Sequence, residues 1–308
     1  MNQLQTIIID TDPGYDDVMA IMLACSSPGI KVKALTTVAG NSSIENTTRN
    51  ARFILDFLGR NDIPVFSGAD KPLNRELVQA VVHGESGLDG INPTNASNLT
   101  NNAAQQLVDM MKDSAEKITI VTLGPLTNIA QAIQLDPLAM VKVEQIVIMG
   151  GAIHAAGNKN RVAEFNIFVD PEAADIVMRF DVPKVLLPLD SSNHVQLTLA
   201  DLEGFTNPRT KDLIEAMLTP YIANIEKDTG VAAALMYDPT TIFYLLEPEA
   251  CRVETYNVLV ETKGEATRGM TVAERRVVPE PGGNDVSVVM DINQERFTAR
   301  FITALNRL

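Results

Sequence analysis

The chain alternates short apolar segments rich in β-branched residues with segments of helical periodicity. The first strand is predicted at Ile7–Ile9 and the first helix from Asp16 to Ser26, and the same order recurs along the sequence. Strands that alternate with helices need crossover connections, which favour parallel pairing. No Pro- or Ser-rich linker, repeat or low-complexity tract divides the sequence. We therefore expect one α/β domain over residues 1–308, with a mainly parallel central sheet and helices on both faces.

Distinctive polar and glycine residues follow the apolar strands directly. Asp10 and Asp12 follow the first strand, Asn41 follows ALTTVAG, Gly124 follows ITIVTL, and Asp190 follows VLLPL. In an open parallel sheet the carboxyl ends of the strands form the crevice in which ligands bind. We therefore expect these residues, which are far apart in sequence, to converge on one binding site.

Four aspartates, Asp10, Asp12, Asp16 and Asp17, lie within eight residues behind the first strand. Carboxylates that are close together repel one another, and burying them without partners is costly. A bound cation would resolve this conflict, and oxygen ligands select Ca²⁺ or Mg²⁺ over zinc, for which the three widely spaced histidines are also unsuited. The alternative is that Asp16 and Asp17 only stabilise the start of a helix.

The overall charge excludes several classes of partner. The formal net charge is −14 and 45% of the 308 residues are hydrophobic, which is enough for a sizeable core. Nucleic acids and anionic membranes are not expected partners, because binding them requires clustered Lys and Arg.

The opening residues lack the basic start of a signal peptide, and no apolar stretch is long enough to span a bilayer. Cys25 and Cys251 are expected to be core thiols rather than a disulfide, which fits a reducing cytoplasm.

Two other functions remain open on the residues alone. Some Mg²⁺-dependent phosphohydrolases use a strand-ending D-x-D motif, but here Pro13 and Gly14 follow the second aspartate, and no Gly-rich P-loop is present. A non-catalytic nucleoside or sugar sensor is the other alternative. An intact Asp16 argues against that reading.

Seven segments in order resemble the inosine–uridine-preferring nucleoside hydrolases, over nearly the whole chain. They are DTDPGYDD, TTVAGN, HGESGLDG, TLGPLTNIA, MGGAI with AEFNIFVDPEAA, and YDPTTIFYLLEP. The resemblance implies a nucleoside hydrolase-like fold with a Rossmann-like core. It also implies hydrolysis of the N-glycosidic bond of a ribonucleoside, purine or pyrimidine, to ribose and free base.

The resemblance also implies roles for individual residues. A Ca²⁺ cofactor would be held by Asp12, Asp17, Asp238 and the backbone carbonyl of Leu123, with Asp10 in a supporting position. Asp16 corresponds to the general base that activates a metal-bound water for direct attack. The ribose-binding groups correspond to Asn41, Asn158, Glu164 and Asn166, and His83 borders the base pocket. An oxocarbenium-like sugar would be stabilised by these carboxylate and amide oxygens.

Each of these residues also has an ordinary structural reading. Asn41 is typical of a turn, His83 of a polar surface loop, and Asp238 of a helix N-cap. Glu164 and Asn166 are two residues apart, so on an extended segment they would point the same way. That arrangement suits two contacts to one ligand and equally a solvated strand face.

The sequence departs from the family pattern at Tyr237, where many relatives have a histidine in the base pocket. A phenol has a pKa near 10, against about 6.5 for imidazole, so it is a weaker acid for the leaving base. Protonation of the base could be altered, or could move to His83, Tyr221 or Tyr244. The resemblance further implies a homodimer or homotetramer that acts in nucleoside salvage.

Overall fold

The computed structural model describes residues 4–280 and 282–308. Its strands and helices alternate along most of the chain, as the sequence predicts. The strands are β1 Gln5–Thr11, β2 Ile30–Thr37, β3 Val65–Ser67, β4 Ile118–Thr122, β5 Gln145–Met149, β6 Lys184–Leu187, β7 Gln196–Leu197, β8 Ala234–Leu235, β9 Cys251–Val260, β10 Thr271–Ala273 and β11 Asn284–Ile292. The helices are α1 Tyr15–Cys25, α2 Ile44–Phe57, α3 Ala103–Asp113, α4 Thr127–Leu135, α5 Pro137–Met140, α6 Phe165–Val169, α7 Pro171–Arg179, α8 Leu189–Ser192, α9 Pro208–Thr229, α10 Pro239–Leu246 and α11 Gln294–Leu305.

The main sheet has the strand order β10-β9-β11-β6-β5-β4-β1-β2-β3. The pairs from β3 to β11 in this order are parallel, and only the pairings of β9 with β11 and of β10 with β9 are antiparallel within the described residues. Strands β7 and β8 form a separate antiparallel ribbon. The expectation of a mainly parallel central sheet is therefore confirmed.

The central strand β1 is buried on both faces, which explains its unbroken apolar run. Ile7 and Ile9 pack into one core cluster with residues of α1, α10 and α11, whereas Ile8 packs into a second cluster with residues of α3, α4 and α7. A parallel strand covered by helices on both sides has no solvated face, so alternation of polar and apolar residues is not needed. Helices on both faces of the sheet are thus confirmed.

The strand order places the predicted crevice at β1. The chain runs from β1 to β2 and β3 on one side, and β4, β5 and β6 continue on the other. Ligands bind at such a switch point in open α/β sheets, at the carboxyl ends of the strands. Asp10 lies between its register partners Thr36 and Thr122, at this end of the sheet.

Two of the composition-based expectations can be compared with the structure. Cys25 and Cys251 are both free and half-buried. Among residues 4–280 and 282–308, no helix combines the length and apolar character that a bilayer crossing requires.

Candidate active site

The aspartate loop connects β1 to α1 and is held together by its own carboxylates. Asp17 accepts hydrogen bonds from the Thr11 hydroxyl (2.6 Å) and the Gly14 N–H (2.9 Å), so it ties the end of the strand to the start of the helix. Asp16 and Asp17 lie in the first turn of α1, as predicted. The Nδ2 group of Asn50 donates to the Pro13 carbonyl and fixes the turn from outside.

Three carboxylates from two distant parts of the chain converge at this loop. Oxygens of Asp16, Asp17 and Asp238 lie within 4.8 Å of one another, and all three side chains are buried. Burial raises the pKa of each carboxyl group, and the neighbouring aspartates raise the pKa values of Asp16 and Asp238 further. A buried acidic cluster of this kind could bind a metal, because a cation would remove both penalties.

Asp238 does not act as the helix cap that its sequence position suggests. It occupies the N-cap position of α10, but its side chain makes no capping hydrogen bond. Its carboxylate is therefore free to face Asp16 and Asp17 rather than the helix backbone.

Asp12 and its surroundings fit a cation with oxygen ligands. The Oδ2 atom of Asp12 accepts from the Asn41 N–H (2.7 Å), whereas its buried Oδ1 atom has no hydrogen-bond partner among the described residues. A side chain at Gly40 would collide with Oδ2, and a Cβ at Gly124 would lie 2.5 Å from Oδ1. The two glycines thus keep space around a carboxylate that has an unused oxygen.

The Leu123 carbonyl is close to the same cluster but already has one partner. It accepts a hydrogen bond from the Asn166 amide (2.7 Å), which also reaches the Met149 carbonyl at 3.3 Å. A carbonyl oxygen has two lone pairs, so one acceptor position on Leu123 remains. Asn166 therefore supports a predicted metal ligand as well as lining the cavity described below.

Glu164 and Asn166 do not share the extended segment that was considered for them, because α6 begins between them. Glu164 is the N-cap of α6, and its carboxylate accepts the N–H groups of Asn166 (2.8 Å), Gly151 (3.1 Å) and Ile167 (3.2 Å). Helix geometry rather than strand alternation places the two residues on one site. Burial raises the pKa of Glu164 to about 7, although these three hydrogen bonds oppose the shift.

Asn41 lies in a turn and also contacts two of the aspartates. It follows β2 in a turn, and its side-chain amide donates to Asp17 (3.0 Å) while its backbone N–H donates to Asp12. Asn158 is an exposed residue of the loop after β5 and lines the cavity described below.

His83 is a buried residue and not the surface-loop histidine that its glycine-rich surroundings suggest. Its ring packs against the rings of Tyr15 and Tyr221, whose centroids lie 5.6 and 5.5 Å away. Its Nδ1 accepts the Tyr15 N–H (3.2 Å), so the neutral ring carries its proton on Nε2, which lies 3.8 Å from Asp16 Oδ1. Burial lowers the pKa of His83 to about 3, which keeps the ring neutral at pH 7.

The tyrosines considered for the leaving base differ in position. Tyr237 and Tyr221 line the cavity, but the Tyr221 hydroxyl donates to the Leu235 carbonyl (2.8 Å). Tyr244 is not among the residues that line the cavity in the described part of the chain. Burial and the nearby carboxylates of Asp16 and Glu164 raise the pKa of Tyr237, so its phenol is a poor acid at pH 7.

The roles of two polar residues were not identified from the sequence, and one of them, Asp190, was expected at the binding site but does not line the cavity in the described part of the chain. Asn128, in the TLGPLTNIA motif, donates to Asp10 Oδ1 (2.8 Å) and the Thr37 carbonyl (3.0 Å), and accepts the Ala69 N–H. Asp190, whose role was left open, accepts three backbone N–H groups of the Ile153–Ala155 segment. Both are buried or half-buried polar side chains with several partners, a property that a single sequence does not reveal.

These groups surround one cavity of about 480 Å³. Most of the predicted site residues line it: Asp16, Asn41, His83, Leu123, Asn158, Glu164, Asn166, Tyr237 and Asp238. Asp10, Asp12 and Asp17 are fully buried and lie outside the lining. The arrangement has the size and polarity for a small ligand with several hydroxyl groups next to a cation.

The chain matches known proteins over nearly its whole length. The profile of the family described as inosine-uridine preferring nucleoside hydrolase matches residues 7–299. The chain is 42% identical over 299 residues to the pyrimidine-specific ribonucleoside hydrolase RihA of Salmonella typhi, covering 94% of this chain and 95% of that protein. It is 43% identical over 301 residues to the protein of the same name from Escherichia coli O17:K52:H18, with the same coverage.

Solved structures give the same result at the level of the fold. A plant nucleoside hydrolase superposes with a TM-score of 0.91 and 34% identity, covering 98% of this chain and 99% of that one. A purine-preferring ribonucleoside hydrolase from Gardnerella vaginalis superposes with a TM-score of 0.89 and 27% identity, covering 98% of both chains.

Proposed function

Because the chain belongs to the inosine–uridine preferring nucleoside hydrolase family and is therefore a nucleosidase that hydrolyses the N-glycosidic bond of ribonucleosides, we propose that the cavity beside Asp16 is its active site. One observation carries this proposal. Three buried carboxylates, of Asp16, Asp17 and Asp238, converge at a cavity whose wall also contains amide groups and an imidazole.

The proposed cofactor is Ca²⁺, held by Asp12, Asp17, Asp238 and the Leu123 carbonyl. Every donor in this set is an oxygen, and the unpartnered Oδ1 of Asp12 together with the free lone pair of Leu123 supports the assignment. When bound there, the cation supplies Lewis acidity that lowers the pKa of a water molecule and binds hydroxyl oxygens. Asp10 is the proposed supporting residue of this site.

Asp16 is the proposed general base. Its side chain lines the cavity, and its buried Oδ1 has no hydrogen-bond partner among the described residues, so this oxygen is available to accept a proton from the attacking water. Proton transfer to a positioned carboxylate contributes roughly 10²–10⁴-fold to a rate. Water attacks the sugar carbon directly, so no covalent sugar–enzyme intermediate forms.

The proposed ribose contacts are Asn41, Asn158, Glu164 and Asn166. As the glycosidic bond breaks, the sugar gains positive charge, which carboxylate and amide oxygens stabilise more than they stabilise the neutral substrate. Glu164 is held rigidly for this task by three backbone N–H groups. Preorganised groups need little rearrangement in the transition state.

The proposed donor to the leaving base is His83. Its Nε2–H can donate to the departing base, which gains negative charge, and the adjacent rings of Tyr15 and Tyr221 hold the imidazole in place. Tyr221 is excluded from this role by its hydrogen bond to Leu235, and Tyr237 contributes to the base pocket instead.

Three further proposals concern the substrate, the cellular location and the oligomeric state. The name "pyrimidine-specific" of the RihA relatives supports the proposal that pyrimidine ribonucleosides are among the substrates. Two unpaired cysteines support a reducing, cytoplasmic setting, where the enzyme would act in nucleoside salvage. We also propose a homodimer or homotetramer, by the resemblance to the family.

Base release from a panel of ribonucleosides and matched 2′-deoxyribonucleosides tests this function. The Asp16→Asn variant should lower kcat by about 10²–10⁴-fold with unchanged folding, since it removes the proton acceptor and keeps the shape. Asp62→Asn, an exposed carboxylate far from the cavity, is the control and should keep wild-type rates. No release by the wild type would refute the function, and full activity of Asp16→Asn would refute the role of Asp16.

A further inference from the structure

The hydroxyl group of Tyr237 is hydrogen-bonded to a residue outside the cavity lining, Asn193. The ribbon of β7 and β8 pairs Gln196 with Leu235, and just beyond it the Met236 N–H donates to the Val195 carbonyl (2.9 Å). This antiparallel pairing brings the chain at Tyr237 beside the chain at Asn193. The two residues are therefore neighbours because of the ribbon, although they are far apart in sequence.

Asn193 is held in a fixed position. It forms the C-cap of α8, and its N–H donates to the Leu189 carbonyl (3.2 Å). The same short helix carries Asp190, which is anchored by three backbone N–H groups of the loop after β5. The side-chain amide of Asn193 thus projects from a backbone that is tied on both sides.

The hydrogen bond determines which way the Tyr237 hydroxyl points. The hydroxyl donates to Asn193 Oδ1, with 3.1 Å between the two oxygens. A phenol has one proton, so this bond uses its single donor and leaves its oxygen as an acceptor. Toward the cavity, Tyr237 therefore offers an acceptor and not a donor.

We propose that Asn193 is a positioning residue that fixes the Tyr237 hydroxyl as a hydrogen-bond acceptor toward the nucleobase. A base that presents an amino group to this hydroxyl is then preferred over a base that presents a carbonyl. The inference rests on the proposed function. A carbonyl that faces this oxygen would leave two acceptors opposed in a desolvated site, whereas an amino group would donate to it. Cytidine and uridine form the matched substrate pair.

The measured quantity is the ratio of kcat/KM for cytidine to that for uridine. Asn193→Leu removes the acceptor at similar size, frees the phenolic proton and should lower this ratio about three- to tenfold, the size of one neutral hydrogen bond. Asn193→Asp keeps an acceptor oxygen and should leave the ratio within about twofold of wild type. In a Tyr237→Phe background, adding Asn193→Leu should not change the ratio further.

The outcomes separate this inference from the proposed function. If the wild type releases no base from any nucleoside, the proposed function itself is wrong. If it releases base and Asn193→Leu lowers both kcat/KM values equally, Asn193 only supports the structure and the inference is overturned. If Asn193→Asp changes the ratio as much as Asn193→Leu, the amide nitrogen faces Tyr237 and the inference is again overturned. Thermal melting of each variant verifies that it is folded.

Discussion

Replacing Asp10 by asparagine should change the stability of the protein in a strongly pH-dependent way. Asp10 is fully buried at the carboxyl end of β1, where Oδ1 accepts from Thr36 (2.5 Å) and Asn128 (2.8 Å). Its Oδ2 has no partner among the described residues, and neither has the hydroxyl of its register neighbour Thr122. Burial raises the pKa of Asp10 from 3.8 to about 7, because the charged form loses its hydration and the two hydrogen bonds compensate only in part.

The size of the effect follows from this pKa. A carboxyl group whose pKa is raised on folding stabilises the protein fully below its unfolded pKa, and this stability is lost as the pH rises through the folded pKa. For Asp10 the loss therefore occurs between about pH 4 and pH 7. Between pH 5 and pH 8 this loss of stability amounts to about 2.5 kcal/mol, which is slightly less than two full pH steps of about 1.36 kcal/mol each. Asparagine does not titrate and shows no such loss.

Urea unfolding of wild type and Asp10→Asn, with a chelator present, measures this difference. The free energy of unfolding of the variant relative to wild type should increase by about 2.5 kcal/mol from pH 5 to pH 8. Asp62→Asn is the control, because its exposed carboxyl group has a lowered pKa and is ionised at both pH values. A difference for Asp10→Asn that is the same at pH 5 and pH 8 would refute the reasoning, since it would mean that burial does not keep Asp10 protonated.

Two further predictions concern the metal site. Gly40→Ala would push a methyl group against Asp12 Oδ2, so it should lower both the divalent-cation affinity, measured by calorimetry, and the rate of base release. Gly29→Ala is the control and should change neither, because the nearest atom to its added methyl group is 3.8 Å away. Equal effects of the two variants would contradict this prediction. Removing divalent cations with a chelator should lower the melting temperature more at pH 8 than at pH 5, because the ionised cluster then lacks a counter-charge. The stabilisation lost is about 2.7 kcal/mol if the cation was present at a hundredfold excess over its dissociation constant. An equal loss at both pH values would argue against carboxylate ligands.

The sequence predicted the fold class well, for a local reason. Strands, helices and the aspartate loop are encoded by residues close together in the chain, as Ile7–Ile9, Asp16 and Asp17 show. The roles of the site residues, and the treatment of residues 1–308 as one domain, remain predictions that the experiments above address. The geometry of Glu164 could not be predicted from the sequence, because a two-residue spacing fits a strand and a helix N-cap equally well.

The sequence by itself determined the alternation of strands and helices, the four aspartates behind the first strand and the motifs of the family. Only the tertiary structure decided that Asp238 meets Asp16 and Asp17, that Asn128 holds Asp10, and that Tyr237 donates its proton to Asn193. Periodicity and turn chemistry act between near neighbours in the chain, and so they can be read from the order of residues. Hydrogen-bond partners depend on strand order and on how the crossovers pack, which bring together residues more than a hundred positions apart.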